Sequence, residues 1–224
     1  MDQSNLHPGH AMQADAIEAL VRPMLLGPLP TLAYEQLALY VALVERWNRR
    51  MNLTAIRDPK TFVQLHIGES LRCAQLLPGE VTTAMDFGSG AGLPGIPIQI
   101  ARPEWILTLA ESQNKKAAFL REAIRELGLV QPNVHAGRVE DMSAGLQFDL
   151  VTLRAVDKMT FALQAAIVRT KTDGWIAVLT SQREKDALQS SLPAVEWIEP
   201  EAIPGSNQRI IMMGRKLVEV GKPF

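Results

Sequence analysis

The segment MDFGSGAGLPGIP, residues 85–97, places four glycines and two prolines directly behind an acidic residue. A strand ending at Phe87, a glycine turn at Gly88 and Gly90, and a helix opening near Pro94 would let a ligand approach bare backbone. Read from Gly90, GAGLPG fits the dinucleotide fingerprint GxGxxG, a weak match on its own. Asp86 stands two residues before Gly88, at the expected mouth of the loop, where a carboxylate would repel a pyrophosphate at short range. A cation suits that place better. S-adenosylmethionine carries an ammonium and a sulfonium against one carboxylate. Its methionine end is expected over this loop, with Asp86 near the ammonium, directly or through water. Glu111 closes the next apolar run, WILTLAE, where a carboxylate can accept from both ribose hydroxyls. After the third run, GRVED sets Val139 and Glu140 at the edge expected to hold an adenine, one as an apolar wall and one as a polar partner.

A methyl donor needs an acceptor. Enzymes that methylate an exocyclic amine usually carry an Asn/Asp-Pro-Pro-aromatic element after the fourth strand, and LRAVD stands there instead. Methylation of pyrimidine C5 needs a cysteine nucleophile, but Cys73, the single cysteine, lies in LRCAQLL and reads as a small buried residue. Guanine N7 differs, because its lone pair is available on the neutral base. Positioning and water exclusion would then suffice, with no general base among the side chains.

The elements that must position these residues fall into two regions. Residues 1–12 read as a disordered tail. Residues 13–80 carry helical periodicity and form a helical extension, with Asp58 capping a helix that has Pro59 at its first position. From 81 to 224, TAMDF, WILTLA, NVHAG, FDLVTLRA and GWIAVLTS alternate with helices near 94–101, 114–128, 158–170 and 182–191. That is an α/β, Rossmann-like grammar with a mostly parallel seven-stranded sheet. VEWIE and QRIIMMGRK are joined by PEAIPGSN, too short for a covering helix, so the last strand should return antiparallel. The chain has 224 residues, 47% of them hydrophobic, with a formal net charge of -1. Bulk charge therefore announces no nucleic acid, although a local basic patch remains open. No signal peptide, membrane span or metal-ligand spacing is evident, so a cytoplasmic protein without metal is expected.

Candidate phosphate contacts are Arg46, Arg49, Arg50, Arg57, Lys115, Lys116 and Arg154, with Arg46 and Arg50 on one helical face. Arg154 ends a central strand, at the crevice where ligands bind. His66 reads as either a substrate contact or a packed histidine, and Trp47 as packing rather than base stacking.

LYVALVERWNRRMNLTAIRDPKTFVQLHIGESL, DFGSGAGLPGIP, SQNKKAAFLRE, GRVED and LRAV, in this order, closely resemble the bacterial small-subunit ribosomal RNA guanine-N7 methyltransferases, the glucose-inhibited division protein B family. The likeness spans roughly residues 33 to 217. It implies a class I S-adenosylmethionine-dependent fold and methylation of N7 of one guanine in the decoding-region loop of 16S rRNA, within the small subunit; a monomer is expected. It also assigns Gly88, Leu93, Val139, Glu140 and Arg154 to the cofactor, to which the reading of the residues adds Asp86, Gly90 and Glu111. Arg46, Arg50, Arg57, His66, Lys115, Arg154 and Arg209 are the expected RNA contacts. Arg209 and Lys216 match basic positions of the family, and either could instead be a solvated charge on an edge strand. Leu65 and Glu69 stand where the family usually has Arg and Asp, and Thr180 and Ser181 where Lys-Gly is common. Two other readings stay open: a nicotinamide-dependent oxidoreductase using GAGLPG, and a catalytically silent RNA-binding module of the same fold.

Overall fold

The computed structural model describes residues 12–156 and 158–217; the tail expected over 1–12 lies, Met12 apart, outside them. Four helical segments come first. They are α1 (Ala14–Val21), α2 (Thr31–Asn48), α3 (Pro59–Phe62) and α4 (Gly68–Leu76), the last two joined by a π-helical turn over Val63–Ile67. Helix α2 buries Leu37, Tyr40, Val41 and Val44, the spacing that turns one face inward. Asp58 caps α3 as expected, its carboxylate accepting from Thr61 N at 2.8 Å.

The alternating region follows as β1 (Thr83–Phe87), α5 (Gly95–Ala101), β2 (Ile106–Glu111), α6 (Asn114–Glu126), β3 (Asn133–Ala136), β4 (Phe148–Arg154) and α7 (Met159–Arg169). It closes with β5 (Thr170–Ser181), α8 (Lys185–Ser191), β6 (Val195–Trp197), β7 (Glu201–Ala202) and β8 (Arg209–Lys216). The sheet order is β3-β2-β1-β4-β5-β8-β6, with β7 also on β8. The strands from β3 to β5 are parallel, and β8 returns antiparallel between β5 and β6. Eight strands replace the seven expected, because Glu201 and Ala202 in the supposed linker pair with Ile211 and Ile210.

Strand alternation assigns side chains to two faces. One face presents Ala84, Leu107, Leu109, Leu150, Ala177 and Leu179 to a core shared with α1 to α6. The other presents Met85, Phe87, Val151, Leu153 and Val178 to a core under α7 and α8. The helices before β1 thus add to the layer that covers the first face. By the same alternation Asp86, Thr152 and Arg154 fall on the first face, in step with Ala84 and Leu150.

The glycine loop is held from that face. Tyr40 Oη donates to Ala91 O at 2.6 Å, and Gly95 lets α5 close onto β2: a Cβ there would stand 2.4 Å from Leu109 Cδ2 and 2.7 Å from Asp86 Oδ2. Gly95→Ala is expected to destabilise the fold by about 1–3 kcal/mol through overpacking. A shift in urea midpoint would measure it, and an unchanged midpoint would mean the helix can slide away at no cost.

Candidate functional site

At the carboxyl ends of β1, β2 and β4 lies a polar cleft of about 560 Å3, a size that suits a small ligand. Gly88, Glu111, Val139 and Glu140 line it, as the sequence suggests, together with Ser112, Gln113, Lys116, Arg138, Lys158 and Phe161. Gly88 holds a left-handed φ of +69° that brings its backbone to the cleft wall, where a Cβ would meet Val156 at 3.3 Å. Glu111 is only 5% exposed; its Oε2 accepts from Gly90 N at 2.9 Å and its Oε1 from Gln113 N at 2.7 Å. A carboxylate offers about four acceptor positions, so two remain while the other two hold the loop at Gly90 and the start of α6 at Gln113. Val139 supplies a buried apolar wall, and Glu140 is exposed at the rim.

Three expected cofactor residues serve from beneath or beside the cleft. Asp86 is not at the lip. It is 0% exposed, with Oδ1 accepting from Thr152 Oγ1 at 2.9 Å and Oδ2 from Gly95 N at 3.2 Å. The expectation of a carboxylate facing the ligand is corrected, because the period of the strand turns Asp86 under the loop and against the start of α5. Gly90 carries φ +56° and gives its N–H to Glu111, and Leu93 is buried in the core with α5 and α6. Burial pushes the Asp86 carboxyl up to about 6, against the lowering effect of its hydrogen bonds.

Asp86 also takes from a pyrophosphate one of the amides it would need, by another route than loop-mouth repulsion. Gly95 N is taken by its carboxylate, Ile96 N donates to Gly92 O, Pro97 has no N–H, and Ile98 N donates to Pro94 O. The first turn of α5 therefore offers no free amide of the kind dinucleotide-binding helices present.

Arg154 turns away from the cleft, toward the helical layer. Its side chain is 9% exposed; Nη2 meets His66 Nδ1, and Nε lies 3.6 Å from Glu69 Oε2. Glu69, 1% exposed, accepts both forks of Arg209, from Nε at 2.9 Å and Nη2 at 2.8 Å. His66 and Glu69, one turn apart, thus share one cluster with the distant Arg154 and Arg209. Burial, then Arg154 and Arg209, push the His66 imidazole down to about 3, so it is neutral. Sequence reasoning missed Glu69 as a member; its signal was the acidic residue three positions after His66.

The other basic candidates separate into two groups. Arg46, Arg50 and Lys115 line a groove of about 540 Å3 with Trp47, which packs edge-on to Phe119 at 5.6 Å. Arg46 pairs with Glu122 at its edge. Arg57 is used internally, donating to Asn48 O at 2.9 Å and Asn52 Oδ1 at 2.8 Å, and Lys116 belongs to the cleft instead. Lys216 is absorbed too, its Nζ bonding Ile167 O and Thr170 O. Thr180 and Ser181 both donate to Glu184 Oε2, which fixes the start of α8. Cys73 is fully buried, its thiol pushed up to about 12 by desolvation, which leaves it no nucleophilic role.

The GidB family model, described as rRNA small subunit methyltransferase G, matches residues 33–210. Among curated relatives, Ribosomal RNA small subunit methyltransferase G of Roseiflexus sp. is 36% identical over 82% of this chain and 83% of its own length. The protein of that name from Xanthomonas euvesicatoria is 33% identical over 92% and 98%. Among solved structures, the N-methyltransferase NodS from Bradyrhizobium japonicum in complex with S-adenosyl-L-homocysteine aligns with a TM-score of 0.58 at 16% identity, over 77% of this chain and 98% of that one.

Because the folded state holds the Asp86 proton more tightly than the unfolded chain, Asp86 stabilises most below about pH 4, and this contribution is lost as pH rises through about 6. Relative to Asp86→Asn, which keeps an acceptor for Gly95 N, the wild-type denaturant midpoint should fall across that window. A wild-type-minus-variant difference that stays flat would contradict the raised carboxyl.

Proposed function

The chain belongs to the rRNA small subunit methyltransferase G family, and from that premise we propose that it methylates N7 of one guanine in the 16S rRNA of the small ribosomal subunit, acting as a cytoplasmic monomer. What supports the reading most is that the family match runs through both the cofactor cleft and the helical layer bearing the basic groove. When bound, S-adenosylmethionine supplies the methyl group: the N7 lone pair forms the new bond as the carbon–sulfur bond breaks toward sulfur, and no proton has to move.

The protein's part is binding, orientation and exclusion of water. The cleft fits the donor by its own chemistry. Glu111 keeps two acceptor positions for a pair of ribose hydroxyls, Val139 offers a face for adenine, and Gly88 leaves backbone bare beside them. Asp86 acts through Gly95 and Thr152, holding the loop that carries Gly88. On the outside, Lys116, Arg138 and Lys158 at the cleft and Arg46, Arg50 and Lys115 in the groove suit RNA phosphates. With a net charge of -1, RNA contact rests on these local clusters rather than on a bulk field.

Calorimetry should find S-adenosylmethionine binding and no reduced nicotinamide binding, with Glu111→Ala weakening the former about 10- to 100-fold. Methyl incorporation into isolated small subunits, mapped by mass spectrometry and compared with naked rRNA, should locate a single N7-methylguanine. Nicotinamide binding without methyl incorporation would sink the reading in favour of an oxidoreductase. Cofactor binding without incorporation into any rRNA would favour a silent module.

A further inference from the structure

On the first face of the sheet, across the tips of β1 and β4 from the cleft, the Arg154 cluster holds one buried donor without an acceptor, Arg154 Nε, and beside it the half-buried ring of His66. Arginine can only donate, so the Nδ1 of His66 that meets Arg154 must be the acceptor. The ring proton is thereby placed on Nε2, which has no bonding partner among the described residues. Arg154 Nε is buried and also unpaired, since 3.6 Å to Glu69 is too long for a hydrogen bond. The other polar groups are already engaged: Glu69 is gripped by Arg209, and the Tyr40 hydroxyl donates to Ala91 in the glycine loop. A buried donor left unpaired is costly in free energy, and such groups call for an explanation.

The backbone gives a second, independent sign. His66 lies in the π-helical turn of residues 63–67, between α3 and α4, and turns of this kind frequently mark functional sites. Phe62 packs edge-on to the imidazole at 5.5 Å and, tilted by 50°, against Tyr40 at 6.1 Å, so ring, tyrosine and glycine loop form one packed series. On the other side, Arg154 is followed directly by Ala155 and Val156, which line the cleft. The cluster and the cleft therefore flank the same strand tips, where an acceptor must meet a methyl donor.

We propose that His66 is the specificity-determining contact to the acceptor base: its Nε2–H, with the Arg154 guanidinium beside it, donates to O6 of guanine and leaves the neighbouring N7 uncovered. The inference rests on the guanine-N7 reading above and deepens it. Guanine's outer edge presents only acceptors, O6 and N7, whereas adenine places an amino donor where O6 would be. The His66 donor facing that amino group would leave both unpaired. An imidazole that stays neutral also spares the ring the repulsion of a cation as positive charge builds on it during attack. Arg154, which acts on the base through the histidine's tautomer, is a positioning residue.

The test uses small subunits reconstituted with rRNA that carries, at the mapped nucleotide, either guanine or 2-aminopurine, which keeps N7 but lacks O6. His66→Ala is expected to slow methylation of guanine about 10- to 100-fold while leaving S-adenosylmethionine affinity within about twofold. On 2-aminopurine the wild type should lose a similar factor, and His66→Ala should add little more. His66→Gln, which restores an N–H, should recover much of the guanine rate. If His66→Ala slows both substrates by the same factor, O6 is not its partner and the inference falls; a phosphate contact would give that result. If His66→Gln is as slow as His66→Ala although both fold and bind cofactor, the donor role falls. Wild-type protein that fails on native guanine would overturn the acceptor assignment itself, and the inference with it.

Discussion

The buried carboxylate of Asp86 is the constraint on which the site is built. It ties the tip of β1 to β4 through Thr152 and to the start of α5 through Gly95. A charged group taken out of water is costly unless it is hydrogen bonded, so both partners must be in place whenever the carboxylate is ionised. Three elements are thereby brought to one point, and the loop from Gly88 to Leu93 has little freedom left. Glu111 fixes the same loop from the far side through Gly90. A turn held by two carboxylates from neighbouring strands is preorganised before any ligand arrives, and the amides of Ser89, Gly90, Gly92 and Leu93 are spent internally.

That arrangement divides the chemistry by sheet face. The cleft opens over Phe87, Ala110 and Val139, while Arg154, His66 and Glu69 gather under the helical layer on the opposite side. Under the proposed function, methyl transfer to a lone pair needs alignment more than acid–base work, and strand tips with a donor on one side and an acceptor on the other would supply it. The helices before β1 cover the sheet and also carry His66, Glu69 and the groove of Arg46 and Arg50. The family's departures at Glu69, Thr180 and Ser181 are compatible with this scheme. The longer carboxylate still reaches both forks of Arg209, and the two hydroxyls hold Glu184 at the head of α8.

Much was legible in advance because periodicity is a local property. The positions of α2, α5, α6 and the five parallel strands follow from apolar spacing and glycine or proline punctuation. So does the antiparallel return of β8, since eight residues cannot carry a crossover helix. The two-residue strand β7 escaped, being too short to alternate. The π turn escaped as well, because one extra residue in a turn barely disturbs an apolar pattern already rich in Val, Leu and Ile. Asp86 and Glu111 were recognisable as site residues from their distance to the loop, yet which way Asp86 points depends on the face that α5 covers.

The sequence by itself determined the class of fold, the glycine turn, the carboxylates around it and the resemblance to a guanine-N7 methyltransferase family, since these lie in short contiguous patterns. Only the tertiary structure decided that Asp86 lies buried beneath the loop, bonded to the start of α5, and that Arg154, Glu69 and Arg209 gather around a neutral His66. Residues 66, 154 and 209 are separated by 88 and 55 positions along the chain. Nothing local couples them; it is the parallel stacking of β4 and β5, with β8 beside them, that brings their side chains under one helix.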